Sequence, residues 1–223
     1  MTHKNTFKID KDTFRENVTK YTRKAFYMLP PLDKPHILDI GCGSGVPTLE
    51  LAQLCNGQVT GVDINQSLLN ILKKKIQKAG LSHRVHTLKC SLLDLNFPDE
   101  SFDILWSEGS IYVIGFKKGL TEWKKLIKPR KFLVVHDEAK NFTEKCKQIP
   151  ASGYDIVNHF TISGDTWWKE YYNPLEKHIN KLRTKYSDNP TVLSACDTEQ
   201  QEIDMFKKNP DQYGSVYFIM QKK

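Results

Sequence analysis

The chain has 223 residues, a length that suits one α/β domain with a modest elaboration and that allows a substantial buried core. Its apolar and aromatic content is ordinary for a globular protein, which argues against intrinsic disorder. The formal net charge is +7, but the lysines are scattered through segments of helical character. This distribution favours solvated helix faces over a single surface for polyanions.

The five cysteines are odd in number and include no Cys-x-x-Cys pair. This pattern argues against a disulfide framework or a zinc site, and it fits a reducing compartment. Residues 1–5 begin no apolar segment, and no apolar run is long enough to span a bilayer. We therefore expect a cytoplasmic protein without a membrane-bound part and without a metal.

The predicted elements begin with a helix that Asp12 or Thr13 caps and that reaches about residue 27, before Pro30 and Pro31. Strands and helices then alternate as far as the fifth strand, and the alternation loosens beyond it. The predicted strands are 36–40, 57–63, 84–89, 104–107, 132–136, 154–162 and 214–220. The later predicted helices are 48–52, 65–79, 119–128, 141–151, 164–186 and 194–208.

The first predicted strand contains Asp39 next to its end and leads into glycines at alternate positions, Gly41, Gly43 and Gly45. A strand, a glycine turn and a helix start form the place where α/β proteins bring backbone against a nucleotide-like ligand. Glycine allows positive φ and lacks the Cβ atom that would block this approach. The dinucleotide fingerprint requires its third glycine at the position of Val46, so the spacing disfavours a nicotinamide dehydrogenase. No second nucleotide-binding half is visible either.

Asp63 ends the second predicted strand, at about the separation from the glycines where doubly wound folds place an acid for ribose hydroxyls. A carboxylate can accept hydrogen bonds from both hydroxyls of a vicinal diol. The alternative is that Asp63 only caps the helix that starts near Gln66. Because Asp63 accompanies a glycine loop, we favour ligand binding.

The pattern Asp-x-Gly-x-Gly-x-Gly over 39–45 resembles motif I of the class I S-adenosylmethionine-dependent methyltransferases. The stretch Phe-Pro-Asp-Glu-Ser-Phe-Asp over 97–103 resembles the passage that precedes the fourth strand in these enzymes. More narrowly, three segments are similar to a group of small microbial members, of the type-11 and type-25-like kind, with no assigned substrate. These segments are 106–116, 167–172 and 213–218.

The resemblance implies a Rossmann-like α/β fold with helices on both faces of a seven-stranded sheet. The implied strand order is 3-2-1-4-5-7-6, with the last strand antiparallel. We expect a single methyltransferase domain over residues 1–223, with a helical segment over 1–31. A helical insertion over 163–210, between strands six and seven, is expected to cover the substrate site.

The resemblance also implies S-adenosylmethionine as cofactor and S-adenosylhomocysteine as product. Ser91 and Leu92 are expected to border the adenine, and Ile64 to pack on its face. The predicted cofactor-binding residues are Asp39, Gly41, Cys42, Gly43, Gly45, Asp63, Ile64, Ser91, Leu92 and Ser107.

The implied reaction is in-line transfer of the sulfonium methyl group to a small-molecule acceptor. The protein mostly needs to align the reactants and exclude water, so a dedicated base is not required. If the acceptor must lose a proton, Glu108, His136 and Asp137 are candidate bases, since they follow strands four and five at the ligand crevice. A histidine at such a place is more often structural. The predicted catalytic residues are Glu108, Tyr112 and His136.

Aromatic rings can stabilise a cationic substrate or the sulfonium. Each candidate has the alternative of being a core or helix-packing residue. The predicted substrate-side aromatics are Tyr21, Trp167, Trp168 and Tyr171, with Tyr112 a further candidate.

The sequence departs from the family pattern at two places. Lys128-Pro129-Arg130-Lys131 stands where these enzymes usually have Lys-Pro-Gly-Gly, so we expect a strained or altered loop there. Tyr21-Thr22-Arg23 replaces the usual Gly-Pro-Gly-Ser-like approach to the first helix. This leaves open how the N-terminal segment closes over the methionine end.

Two alternatives to small-molecule methylation remain. An RNA or DNA methyltransferase fits the basic charge, but Ser107–Ser110 lacks the Asn/Asp-Pro-Pro-aromatic motif of exocyclic amine methylation. The chain also has no Pro-Cys or Thr-Cys nucleophile, so a nucleic-acid partner is not expected. The other alternative is a non-catalytic module that keeps the cofactor fold. In every case we expect a monomer or a homodimer.

Overall fold

The computed structural model describes residues 7–223, so residues 1–6 of the predicted N-terminal segment lie outside the described residues. The first two helices are α1 (Asp12–Glu16) and α2 (Thr19–Tyr27), whereas the sequence predicted a single helix over this range. The prediction of one helix is wrong because the backbone hydrogen bonds change from the α-helical spacing of four residues to a spacing of three after α1. The amide of Asn17 bonds the carbonyl of Phe14, three residues back, at 3.3 Å.

A seven-stranded sheet forms the centre of the molecule, and its strand order 3-2-1-4-5-7-6 confirms the prediction. Strands one to five are parallel, and the last strand runs antiparallel to the fifth. The strands are β1 (His36–Ile40), β2 (Gln58–Asp63), β3 (Val85–Lys89), β4 (Phe102–Glu108), β5 (Ile127–Glu138), β6 (Tyr154–Ile162) and β7 (Ser215–Lys222).

Helices connect the strands as crossovers. The remaining helices are α3 (Val46–Leu54), α4 (Gln66–Lys78), α5 (Phe116–Trp123), α6 (Phe142–Ala151), α7 (Gly164–Trp167), α8 (Asn173–Lys185) and α9 (Pro190–Lys208). A π-helical turn, Trp168–Tyr172, joins α7 to α8.

The register of the parallel strands brings their carboxyl ends to one edge of the sheet. Asp39 of β1 pairs with Gly61 of β2 and with Trp106 of β4. The central strands β1 and β4 are almost continuously buried, as expected for a parallel sheet covered on both faces. The loops after β1, β2, β4 and β5 therefore meet at this edge, where open α/β sheets bind ligands.

Strand β5 begins earlier than predicted and includes Lys128–Lys131, which the sequence placed in a loop. The pairing of β4 with β5 shifts register between Phe102 and Ile104. Within this irregularity Arg130 has φ 59°, a conformation that glycine adopts without strain and arginine does not. The expected local strain is present, although it lies inside a strand.

The chain divides into two compact units. One comprises residues 19–161 and 215–223, and its core lies between the sheet and its covering helices. Among the described residues, the other comprises 7–18 together with 162–214, and it has its own core of aromatic and aliphatic side chains from α1 and from the helices between β6 and β7. Within residues 7–223, no helix combines the length and apolar character that crossing a bilayer requires.

Candidate functional site

The glycine loop after β1 is held in shape by its own backbone. The amides of Gly41 and Cys42 both donate to the carbonyl of Val62, at 2.8 and 3.0 Å, and the amide of Gly45 donates to that of Cys42 at 2.9 Å. Gly41, Gly43 and Gly45 have φ of 76°, 55° and 83°. The loop is therefore preformed in a conformation that favours glycine at all three places.

The three glycines differ in what surrounds them. A Cβ on Gly41 would lie 2.4 Å from the Cβ of Ser110, and one on Gly45 would lie 2.1 Å from a methyl carbon of Leu72. A Cβ on Gly43 would meet only Leu68, at 4.0 Å. Gly41 and Gly45 thus permit internal packing, whereas Gly43 leaves open space at which a ligand can approach the backbone.

Asp39 and Cys42, both predicted to bind the cofactor, lie beneath the loop. Asp39 is 1% exposed, and its Oδ2 accepts a 2.6 Å hydrogen bond from the hydroxyl of Thr48 in the first turn of α3. Burial raises the pKa of the Cys42 thiol far above its ordinary value, so the thiol stays neutral. Both side chains support the loop from within the fold.

Asp63 connects the end of β2 to the loop. Its Oδ2 accepts the amide of Gly43 at 2.9 Å, and its Oδ1 accepts the amide of Asn65 at 2.7 Å. The side chain that caps α4 is that of Asn65, which accepts the amides of Ser67 and Leu68. The alternative that Asp63 only caps this helix is therefore wrong.

Residues after β2 and β3 lie near Asp63, since Ile64 follows it directly and the amide of Cys90 donates to its carbonyl at 3.2 Å. Ile64 is 67% exposed, an unusual environment for isoleucine, and Leu93 is 59% exposed. The hydroxyl of Ser91 accepts the amide of Leu93 at 3.2 Å, and the carbonyl of Leu92 accepts the indole N–H of Trp123 at 3.3 Å.

Ser107 and Ser110 join β4 to the loop from inside. Ser107 is fully buried, and its Oγ lies 2.7 Å from that of Ser110. The Ser110 hydroxyl donates to the carbonyl of Ile40 at 2.6 Å. The geometry therefore makes Ser107 a packing residue beneath the site. Ser110, which the sequence did not single out, sets how closely the β4 loop approaches Gly41.

Glu108 stands at the carboxyl end of β4 and is partly buried. Its Oε1 accepts the indole N–H of Trp106 at 2.8 Å and the hydroxyl of Thr22 at 2.9 Å. Tyr112 follows in a short 3₁₀ turn and is 63% exposed. Glu108 is thus oriented by protein donors, and Tyr112 offers an accessible ring.

The candidate bases after β5 lie in packed surroundings. His136 is buried and stacks on Tyr217, with ring centroids 4.3 Å apart and planes inclined by 16°. Asp137 is buried and forms a 2.6 Å ion pair with Lys145 of α6. These contacts favour the structural alternative that the sequence left open for His136.

The predicted substrate-side aromatics divide between the two units. Tyr21 belongs to α2 and lies 5.2 Å from the ammonium of Lys20. Trp168 stacks on Phe206, and Tyr171 is buried with its ring edge-to-face against Trp167. Packing accounts for Trp168 and Tyr171, and contact of any of these rings with a substrate stays a prediction.

The residues at this edge fit a nucleoside-containing cofactor. Gly43 admits backbone approach, Asp63 has its carboxylate at the end of β2, and exposed Ile64 follows it with an apolar side chain. Among residues 7–223 there is no group of three or more His, Cys, Asp or Glu side chains that could hold a metal ion.

Comparison with known proteins agrees with this geometry. Residues 37–130 match a family model described as a methyltransferase domain. The chain is 29% identical over 119 residues to O-methyltransferase cnsE of Penicillium expansum, covering 53% of this chain and 43% of that relative. It is 32% identical over 100 residues to 27-O-demethylrifamycin SV methyltransferase of Amycolatopsis mediterranei, covering 45% and 37%. The chain thus spans less than half the length of these curated relatives.

Solved structures share the fold over nearly the whole chain. A SAM-dependent methyltransferase from Geobacter sulfurreducens, in complex with S-adenosyl-L-homocysteine, superposes with a TM-score of 0.75 at 14% identity. The match covers 97% of this chain and 99% of that one. The [4+2]-cyclase SpnF superposes with a TM-score of 0.75 at 20% identity, covering 91% and 80%.

The glycine loop, the strand order and the matched domain converge on one assignment. The spacing of the loop sets aside dinucleotide enzymes, and the antiparallel seventh strand inserted between β5 and β6 follows the predicted topology. The matching family model begins in β1 and extends into β5, so it includes the loop and Asp63. The family match over residues 37–130, together with the strand order, supports a class I S-adenosylmethionine-dependent methyltransferase.

Proposed function

We propose that this chain transfers the methyl group of S-adenosylmethionine to a small-molecule acceptor. One observation carries the proposal. The Asp63 carboxylate is fixed by the amide of Gly43, at the place where the loop is open, and exposed Ile64 follows it directly in the chain. The family of the chain and the donor set at this edge support the same cofactor.

The bound cofactor would supply a sulfonium-activated methyl group, and the residues of the chain would bind and orient it. Each carboxylate oxygen has two lone pairs, so Asp63 can keep its backbone hydrogen bonds and still accept the ribose hydroxyls. Ile64 and Leu93 would pack on the adenine. The backbone at Gly43 would lie against the methionine end.

A small-molecule acceptor is supported by the named relatives. One is named for 27-O-demethylrifamycin SV, and other relatives are named as sterol 24-C-methyltransferases. Alignment and exclusion of water can supply roughly 7–11 kcal/mol of the barrier, so a general base is not essential. Glu108 is the proposed base where one is needed, since His136 and Asp137 are engaged in packing and an ion pair.

The second candidate is a reaction other than methyl transfer on the same cofactor-binding fold. The similarity to a structure described as a [4+2]-cyclase favours it. Incubating the protein with a metabolite pool and cofactor labelled in the methyl group separates the two. Label in a small molecule supports transfer. If a new compound forms from the pool but carries no label, the cyclase-like reaction replaces our proposal.

The cytoplasmic location and the monomeric or dimeric state stay predictions.

The binding proposal is tested by replacing Asp63. We expect Asp63→Ala to weaken S-adenosylhomocysteine binding at least about tenfold, equivalent to roughly 1.4 kcal/mol, because ribose acceptors are lost. Isothermal titration calorimetry measures the affinity. Asp99→Ala is the matched control, an exposed loop aspartate whose loss should leave the affinity unchanged. Equal affinities for wild type and Asp63→Ala would remove Asp63 from the site.

A further inference from the structure

Three consecutive side chains of α2 contact other elements of its unit. The Thr22 hydroxyl donates to Glu108 at 2.9 Å, and the Arg23 guanidinium pairs with Glu50 of α3 at 2.7 Å. The ammonium of Lys24 lies 4.2 Å from the ring centroid of Phe160 in β6. Thr22 and Arg23 belong to the segment that stands where the family resemblance would have a Gly-Pro-Gly-Ser-like sequence, and Lys24 follows it. Their contacts show how α2 is held in place without that sequence.

The Thr22 contact differs from the other two because it is buried and ends at the ligand edge. Thr22 is 2% exposed and Trp106 is fully buried, so both donors to Glu108 are held by the packing around them. The Arg23 side chain is 48% exposed and its partner Glu50 is 11% exposed, so this pair holds α2 against α3 at the side of the helix. The Thr22–Glu108 bond therefore couples α2 directly to Glu108, and Phe26 of α2 also lies against Trp106, with ring centroids 6.5 Å apart.

Strand register places Glu108 beside the glycine loop. Asp39 of β1 pairs with Trp106 of β4 in parallel register, and Gly41 and Glu108 each follow by two residues. The paired register ends at Asp39 and Trp106, and Ser110, two residues after Glu108, lies against Gly41, so Glu108 belongs to the segment of β4 that approaches the loop. Its Oε1 accepts two hydrogen bonds, which fix the orientation of the carboxylate as well as its place.

We propose that Thr22 and Trp106 are positioning residues that hold Glu108 as a fixed negative charge beside the glycine loop, and that this charge makes the site prefer S-adenosylmethionine to S-adenosylhomocysteine. The two molecules differ by one methyl group and by the positive charge of the sulfonium. A fixed carboxylate in a partly buried place attracts that charge and has no comparable effect on a neutral thioether. The inference rests on the proposed function, because it assumes that the site binds this cofactor.

The preference for the cation also has a consequence for turnover. A site that binds the cationic reactant more tightly than the neutral product releases the product more readily and resists inhibition by it. Thr22 would contribute to this without touching the cofactor, by setting the position of the Glu108 carboxylate.

The test is the ratio of two dissociation constants, that for S-adenosylhomocysteine over that for S-adenosylmethionine, measured by calorimetry on the full chain. We expect Glu108→Gln, which keeps shape but removes charge, to lower the ratio about tenfold relative to wild type. Thr22→Val, which removes the donor at nearly constant volume, should lower it about threefold. Thr22→Ser keeps the hydroxyl and should restore the wild-type ratio.

The ratio separates a positioning role from a merely structural one, because loosening the fold weakens both ligands together and leaves the ratio unchanged. Glu108→Asp provides a second variant that keeps the charge, and we expect it to retain most of the preference. A ratio within twofold of wild type in both Glu108→Gln and Thr22→Val would overturn the inference while leaving the proposed function in place. If wild type binds neither ligand, the inference and the proposed function both fall.

Discussion

Gly41 and Gly43 share a positive φ, but only the first has another side chain in the position that a Cβ would take. We therefore expect Gly41→Ala to destabilise the protein strongly, since the added carbon overlaps Ser110, which is buried and bonded to Ile40. Gly43→Ala adds a carbon in open space and should cost only the backbone term, about 1–2 kcal/mol. Urea unfolding measures both.

The same pair separates folding from binding. Gly43→Ala should weaken S-adenosylhomocysteine binding in a protein that remains folded, as calorimetry can show. From the sequence, valine at either position should abolish binding and leave the sheet intact. The packing of Ser110 restricts this expectation to Gly43. Equal losses of stability for the two alanine variants would contradict the distinction.

The backbone of Arg130 is strained, as expected from the segment Lys128–Lys131, which lacks the glycines of the Lys-Pro-Gly-Gly pattern. With φ 59°, its backbone has a conformation that glycine adopts without penalty. We expect Arg130→Gly to raise the free energy of unfolding by about 1 kcal/mol in urea denaturation.

Arg130→Ala is the matched control for that variant. It removes the same charge and side chain but keeps the Cβ, so the strain persists and no stabilisation is expected. The Arg130 carbonyl accepts Gln221, and both variants leave this bond in place. Stabilisation of equal size in both variants would assign the effect to the side chain and contradict our account.

Between elements, the ion pair of Asp137 and Lys145 joins the end of β5 to α6 across 2.6 Å. Both side chains are buried, and the Lys145 ammonium also donates to the carbonyl of Glu138. Removing one partner leaves a buried charge without its counter-charge. We expect Lys145→Met to lower the free energy of unfolding by about 3–5 kcal/mol, measured by urea denaturation.

An exposed pair of equal length provides the comparison. Lys169 and Asp165 also lie 2.6 Å apart, four residues apart on the surface, with both side chains 68% exposed. Lys169→Met should change the stability by less than about 0.5 kcal/mol. If the two methionine variants lose the same stability, burial is not the source of the effect at Lys145.

At the same scale, periodicity predicted most elements because burial repeats every two residues in strands and about every 3.6 in helices. Strand β6 was predicted with the bounds that it has. The break between α1 and α2 and the early start of β5 were missed. Both depend on hydrogen bonds and pairing that local periodicity does not record.

For the molecule as a whole, ligand binding should appear as added stability, since a ligand that binds only the folded state shifts unfolding. At a hundred times its dissociation constant, S-adenosylhomocysteine should add about 2.7 kcal/mol. For a chain of this length, this corresponds to a rise in Tm of roughly 5–10 °C. Differential scanning calorimetry measures it.

NAD is the control ligand, because a doubly wound sheet with a glycine loop is also the architecture of dinucleotide enzymes. The position of Val46 predicts that NAD leaves Tm unchanged. A rise with NAD and none with S-adenosylhomocysteine would reverse the cofactor assignment.

Local patterns in the sequence carried a resemblance to class I methyltransferases, and that resemblance implied the order of the sheet that the structure confirms. Glycine spacing and the acid that ends β2 are local features, and parallel strands necessarily bring their carboxyl ends together. Which of the residues at that edge are accessible depended on the tertiary structure, because burial is set by distant neighbours. Asp39, Cys42 and Ser107 carry suitable chemistry but lie beneath the loop, whereas Gly43 and Ile64 lie in the open. The bond from Thr22 to Glu108 joins residues far apart in the chain, so only the packing of α2 against β4 could reveal it.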